Sequence, residues 1–333
     1  MLCMAGTLAA PFPYFGGKSG ACQQVWGALG NPVNYVEPFA GSAAMLLGRP
    51  EPGKVETIND ADGFVANFWR AISQDAAAVA RIADWPTNEV DLFARHSWLV
   101  RGYPELLDRL EADPDFCDAK IAAWWCWGAC NWIGSGWCSG TGPWIHDGNS
   151  IVKSEQGNGQ GINRQIPHLG NAGQGINRQI PHLSAGRGSR SELIMEWFET
   201  LSTRMRNVRV AAGDWRRVLT DSVTVRHGIT GIFLDPPYTK GKMDYAAGGV
   251  GGKLAEDVRS WCLANGSNSM FRIVLCGHVG EHDELLSEQW NTRTWTAKKG
   301  YALTDEAMSN SADETIWCSP YCEPERHLQE ALF

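Results

Sequence analysis

No two of the ten cysteines in this 333-residue chain stand in Cys-x-x-Cys spacing, and no Cys/His cluster accompanies them. That leaves no zinc-ligand pattern and, at this length, no disulfide scaffold. The thiols read as reduced and mostly buried, as in a cytoplasmic protein. Long apolar runs are missing as well. The apolar start, Met1 to Ala10, lacks a basic flank and is cut short by Pro11 and Pro13. The expectation is no secretory signal and no membrane span. Positive charge is not in excess: the formal net charge is −8. That argues against a generic nucleic-acid coat but leaves room for a local basic surface. Tryptophan, by contrast, is abundant at 16 residues. With 44% apolar and 20% charged residues, the composition is that of a globular protein. The length allows one large core or two smaller ones.

The chain is organised around Asp235-Pro236-Pro237-Tyr238, which follows the apolar run 231–234. That run reads as a buried strand. Two prolines can neither continue a ladder nor enter a helix interior, so the acid, two carbonyls and a ring sit on a rigid turn. In open α/β sheets, ligands bind at the carboxyl ends of strands. A carboxylate beside free carbonyls can accept both hydrogens of an exocyclic amine, and a Tyr ring can stack on the base that bears it. Read by itself, the turn is also a common strand ending.

The first half supplies further turns. Tyr14, Phe15, Gly17 and Lys18 bring a ring, a close-approach backbone and a cation ahead of a helix that starts near Ser19. A short strand then runs through Glu37 into Phe39 and Gly41, followed by a helix at 43–47. This is a strand–glycine turn–helix opening, but with one glycine it is not the dinucleotide fingerprint. A second strand, 55–60, ends in Asp60, 19 residues after Gly41. Dinucleotide-binding units place a ribose acid at about 20 residues. Asp62 reads instead as a helix cap. Phe64, Val65, Phe68, Trp69 and Ile72 fall at helical spacing and read as core. Two amphipathic stretches follow, 89–100 and 104–111.

The middle differs from its flanks. Six tryptophans lie between residues 119 and 144, and 119–132 reads as a buried helix. A ten-residue segment beginning at Gln160 recurs at Gln174, a period of 14 residues, too short for a helical-pair repeat. Between 151 and 190 there are five basic residues and one acid. Arg, Asn and Gln read purine edges in a major groove. Asn163, Arg164, Gln165, Asn177, Arg178, Gln179, Arg187 and Arg190 are therefore candidate DNA contacts. A duplicated surface loop is the competing reading.

The second half returns to strands and helices. A helix at 191–205 precedes a strand that ends at Asp214 and Trp215, an acid and a ring suited to an adenine or to a helix cap. After Tyr238, 239–252 is rich in Gly and Lys and reads as a loop beside the site. Strands at 271–276, 290–297 and 314–318 finish the chain. Strands alternating with helices imply an α/β domain with a largely parallel sheet.

Taken in order, Pro-Tyr-Phe-Gly-Gly-Lys at 13–18, Glu-Pro-Phe-Ala-Gly-Ser at 37–42, Asn-Asp at 59–60, Gly-Asp-Trp at 213–215 and Asp-Pro-Pro-Tyr at 235–238 resemble Dam-like (class alpha) N6-adenine DNA methyltransferases. Residues 310–317 resemble the family's last strand. The resemblance covers 12 to about 75 and 192 to 320. It implies a Rossmann-like α/β sheet that binds S-adenosylmethionine, with a discontinuous catalytic domain at 11–110 and 191–320. A partly helical, loop-rich target-recognition region at 111–190 and a tail at 321–333 complete the division. Double-stranded DNA is the implied partner, with no metal and no membrane, in a bacterial cell or a phage-infected host. The resemblance assigns Tyr14, Phe15, Gly17, Lys18, Glu37, Phe39, Gly41, Asp60, Asp214 and Trp215 to the cofactor. Asp235, Pro236, Pro237 and Tyr238 take the catalytic role, and His278 takes none. Three other readings stay open: methylation of cytosine N4 or of adenine in RNA, a DNA-binding protein without catalysis on the same fold, and a nucleotide-dependent oxidoreductase, which the single glycine disfavours.

Overall fold

An apolar run without polar alternation has to be covered on both faces. The structure, a computed structural model, shows how the chain does this. It describes residues 8–14, 18–113, 115–132, 137–138, 144–146, 151–153, 189–238, 251–295 and 314–324, with the backbone alone for 144–146, 151–153, Gly251 and Trp295. The helices are α1 (Cys22–Leu29), α2 (Ala44–Leu47), α3 (Gly63–Ala83), α4 (Glu89–Ala112), α5 (Ala119–Asn131), α6 (Arg190–Met205) and α7 (Gly251–Asn265). The strands are β1 (Asn34–Glu37), β2 (Val55–Asp60), β3 (Trp144–His146), β4 (Ile151–Lys153), β5 (Val208–Ala212), β6 (Thr230–Leu234), β7 (Phe271–His278), β8 (Asn291–Trp295) and β9 (Glu314–Cys318).

Seven strands form one sheet in the order β5-β2-β1-β6-β7-β9-β8, while β3 and β4 make a separate antiparallel pair. β5, β2, β1, β6 and β7 run parallel, and β9 is antiparallel to both β7 and β8. The chain grows outward from β1 through β2 to β5, then returns to the other side of β1 with β6 and β7. The strand order therefore reverses between β1 and β6. In open α/β sheets that switch point opens a crevice at the strands' carboxyl ends.

Alternation within the strands feeds two cores. Tyr35, Phe233, Val274 and Cys276 face one side, with Phe64, Phe68 and Trp69 of α3, Trp125 of α5 and Phe198 of α6. Val36, Ile232, Leu234, Ile273 and Leu275 face the other, with Val258 and Cys262 of α7. The expected α/β class and mostly parallel sheet are what the chain has. The expected α3 face is buried throughout, and Asp62 caps that helix, accepting from Phe64 N at 2.8 Å.

Two expectations need revision. The stretches 89–100 and 104–111 are one helix, α4, which continues through Pro104. The proline removes one ladder bond, but Leu99, Leu106 and Leu110 bury along the helix. Arg70 of α3 donates to the carbonyls of Leu110 and Asp113 at its end. α4 runs to Ala112, and α5 packs in the same core as α3 and α6. Gly251 and Gly252 begin α7 instead of ending a loop. Residues 239–250 lie outside the described residues, as do both copies of the repeat. No helix among the described residues is long and apolar enough to cross a membrane.

Candidate active site

The turn after β1 is built on left-handed backbone, which glycine adopts freely and alanine only under strain. Gly41 has φ +47° and Ala43 has φ +50°, both in the left-handed region. Hydrogen bonds stitch this turn to its neighbours. Gly41 N–H donates to Asp60 Oδ2 at 2.8 Å, and Trp69 Nε1 donates to the Gly41 carbonyl at 2.9 Å. Asn59 Nδ2 donates to the carbonyls of Pro38 and Gly213, each at 3.0 Å. One amide thus ties the ends of β1, β2 and β5 together. Tyr14 lies against Gly41 so closely that a Cβ there would stand 2.3 Å from Tyr14 Cε1.

Asp60 serves this stitching with both oxygens, since Oδ1 accepts from Asp62 N at 2.9 Å. The Ala61 amide bonds to the same carboxylate, so about one of its four lone-pair positions remains for another donor. Burial pushes Asp60 up to about 6, against the pull of the Asp62 and Gly41 amides. Burial and then the neighbouring Asp60 charge push Asp62 up to about 7.

Glu37 lies beneath the turn, buried, with Tyr35 OH donating to its Oε2 at 3.0 Å and Leu46 N at 3.1 Å. Burial pushes its carboxyl up to about 8. The unfolded chain releases this proton from about pH 4.5, whereas the folded chain keeps it to about pH 8. Stability from Glu37 is therefore present at low pH and lost as pH rises through that window. Asp60 and Asp62 act with the same sign but finish lower. Between about pH 5 and 8, the melting temperature of the wild type is expected to fall more steeply than that of Glu37→Gln. Equal slopes in a thermal-melt series would contradict a protonated Glu37.

On the β5 side, Phe39 and Trp215 pack with ring centroids 5.9 Å apart. The indole N–H of Trp215 is buried and has no hydrogen-bond partner among the described residues. Asp214 is exposed and acts as a cap, accepting from Arg216 N at 2.8 Å. The Arg216 guanidinium bridges Asp214 to Asp257 of α7.

On the β6 side, Asp235 Oδ1 accepts from Tyr238 OH at 3.1 Å and pairs with Lys18 Nζ at 3.2 Å. Burial pushes Asp235 up from the usual carboxylate range, and the Lys18 charge works against that. Burial alone would lower Lys18, but Asp235 and Glu314 outweigh it, so Lys18 is held above its usual value as an ammonium. Pro236 is buried and Pro237 half-buried on the same turn.

The residues expected at one site are thus largely brought together: Tyr14, Lys18, Glu37, Phe39, Gly41, Asp60, Trp215 and 235–238 line the carboxyl edge around the switch point. Phe15 and Gly17 lie outside the described residues. So do the DNA-contact candidates Asn163, Arg164, Gln165, Asn177, Arg178, Gln179 and Arg187. Arg190 is described, and its charge is already engaged: Nε pairs with Asp84 at 3.1 Å and Nη2 donates to the Trp85 carbonyl. Two residues at the site had no expected role. His278 meets the Tyr238 ring edge-on with centroids 4.7 Å apart. Glu314 Oε1 lies 3.9 Å from Lys18 Nζ. Their strand pairing, His278 opposite Glu314, explains this: an antiparallel last strand begins where the parallel strands end. No protein-family model and no curated protein matches the chain.

Proposed function

We propose that the chain is an S-adenosylmethionine-dependent methyltransferase acting on the N6 amine of adenine in double-stranded DNA. One observation carries the reading. The glycine turn, the Asp60 strand end and Asp235-Pro236-Pro237-Tyr238 meet at the switch point of a sheet ordered β5-β2-β1-β6-β7-β9-β8. Its first five positions follow the order of Rossmann-like nucleotide-binding sheets. The pairing of an acid with a ring on a rigid turn suits an exocyclic amine, and the absence of a second glycine suits a mononucleoside cofactor better than a dinucleotide.

The residues fit such a cofactor. Gly41 leaves its turn without a side chain, Asp60 keeps acceptor capacity for a ribose hydroxyl, and Trp215 offers a buried N–H without a partner among the described residues. S-adenosylmethionine supplies an electrophilic methyl group on a sulfonium. The protein's part is alignment. The target adenine has to leave the duplex, at a cost of a few kcal/mol. Asp235 and the Pro236 carbonyl would accept the two amine hydrogens, which would leave the nitrogen lone pair free as the nucleophile, the surplus proton then passing from nitrogen to solvent. Tyr238 stacks on the base. Holding nucleophile and methyl in line removes much of the entropic barrier. Asp235 also faces the positive charge that develops on the nitrogen.

Methyl-labelled S-adenosylmethionine, incubated with the protein and, in parallel, with unmethylated DNA or RNA of mixed sequence and followed by digestion to nucleosides, tests this. Label in N6-methyl-2′-deoxyadenosine is expected. Label in N4-methylcytosine would move the substrate to the other amino base, and label in RNA alone would move it to another polymer. No transfer to any DNA or RNA rejects the enzyme.

A further inference from the structure

Lys18 stands where a target amine has to go. Its Nζ is 3.2 Å from Asp235 Oδ1, the oxygen that already accepts from Tyr238 OH. The same ammonium lies over the Tyr238 ring, 5.0 Å from its centroid, on a face that a flipped base would cover. A second carboxylate is near: Glu314 Oε1, 3.9 Å from that Nζ. The Lys18 side chain is 5% exposed, and those of Asp235 and Glu314 are 20% and 19% exposed. One largely buried cation is therefore held between two acids, at 3.2 and 3.9 Å.

We propose that Lys18 is a placeholder for the target amine, and that Glu314 is a positioning residue that receives its ammonium when the amine binds Asp235. The inference rests on amine methyl transfer as the function. Ammonium and amine are both donors, and they compete for the same carboxylate. A base stacked on Tyr238 displaces a cation from above that ring. An ammonium left against Asp235 would also oppose the positive charge that grows on the amine nitrogen. A buried cation cannot simply be released, because an unpaired buried charge is strongly unfavourable. Glu314 gives it a partner without a path through solvent. In the empty site the arrangement has a second use: Lys18 keeps the buried Asp235 paired until the substrate arrives.

Label transfer to mixed-sequence DNA tests this in wild type, Glu314→Gln, Glu314→Asp and the double variant Lys18→Gln/Glu314→Gln. Melting temperature and S-adenosylmethionine affinity serve as controls. Glu314→Gln is expected to lower kcat about tenfold or more with cofactor affinity unchanged, and Glu314→Asp, which keeps the charge, to stay within about threefold. The double variant is expected to be at least about fivefold faster than Glu314→Gln, because no ammonium then needs a second partner. A wild-type rate in Glu314→Gln, or a double variant no faster than that single one, overturns the proposal. A second reading needs no variant at Glu314. In isotope-labelled lysine NMR of the wild type, the Lys18 side-chain signal is expected to move when DNA and S-adenosylhomocysteine are added together, and an unmoved signal overturns the hand-over. No transfer by the wild type defeats the methyltransferase reading itself, whereas an active wild type with an indifferent Glu314→Gln defeats only the placeholder.

Discussion

Asp235→Asn is expected to lower methyl transfer about a thousandfold, or about 4 kcal/mol in the barrier. The amide has nearly the shape of the carboxylate and can still accept from Tyr238, now 3.1 Å away. It cannot carry the charge that faces the developing cation, and removing one such group from a preorganised site costs on the order of 100- to 1,000-fold. Lys18 keeps Glu314 as a partner, so the substitution does not strand a buried charge. The fold should survive, because β6 is held by five buried residues ahead of the turn. The kcat for label transfer, with melting temperature and cofactor affinity as controls, checks this. A loss below about tenfold at intact fold would remove Asp235 from the clamp.

Gly41→Val is expected to weaken S-adenosylmethionine binding by about a hundredfold or more, close to 3 kcal/mol. At φ +47° a β-branched residue is strained. Its Cβ would also stand 2.3 Å from the Tyr14 ring. The turn cannot shift cheaply to relieve this, because Gly41 N–H is held by Asp60 and its carbonyl by Trp69. Calorimetric titration of the variant measures the loss. Gly102→Ala in α4, where an added Cβ meets nothing within 4 Å, is the matched control and should bind like wild type. Near-wild-type affinity in Gly41→Val would place the cofactor elsewhere.

Much of the sheet was legible because its signals are local. The apolar runs at 230–234 and 271–276 are too short and too branched for helices, and Gly41 and the Pro236-Pro237 pair mark their turns by backbone chemistry alone. Asp60 was legible by its distance from Gly41. Asp62 was legible as a cap by its place before Phe64. The electrostatics of the site were not. Lys18, Asp235 and Glu314 are far apart in the chain, and only the packing of β9 between β7 and β8 brings the acid on β9 to the lysine. His278 lies two residues beyond the strand expected at 271–276, so no periodicity marked it. Pro104 misled for the opposite reason. It is a strong local breaker, but buried leucines on both sides and the Arg70 cap hold α4 together. Asp214 illustrates a third case: acid followed by ring fits an adenine contact and a 3-10 turn cap equally well, and the cap is what its hydrogen bonds describe.

Methylation of adenine in DNA at this sheet edge can be read in a cell. The most direct measurement is mass spectrometry of digested genomic DNA from cells that lack adenine methylation and express either the wild type or Asp235→Ala. N6-methyladenine is expected with the wild type and none with the variant. No methylated base with the wild type, or the same amount with both, would contradict this function.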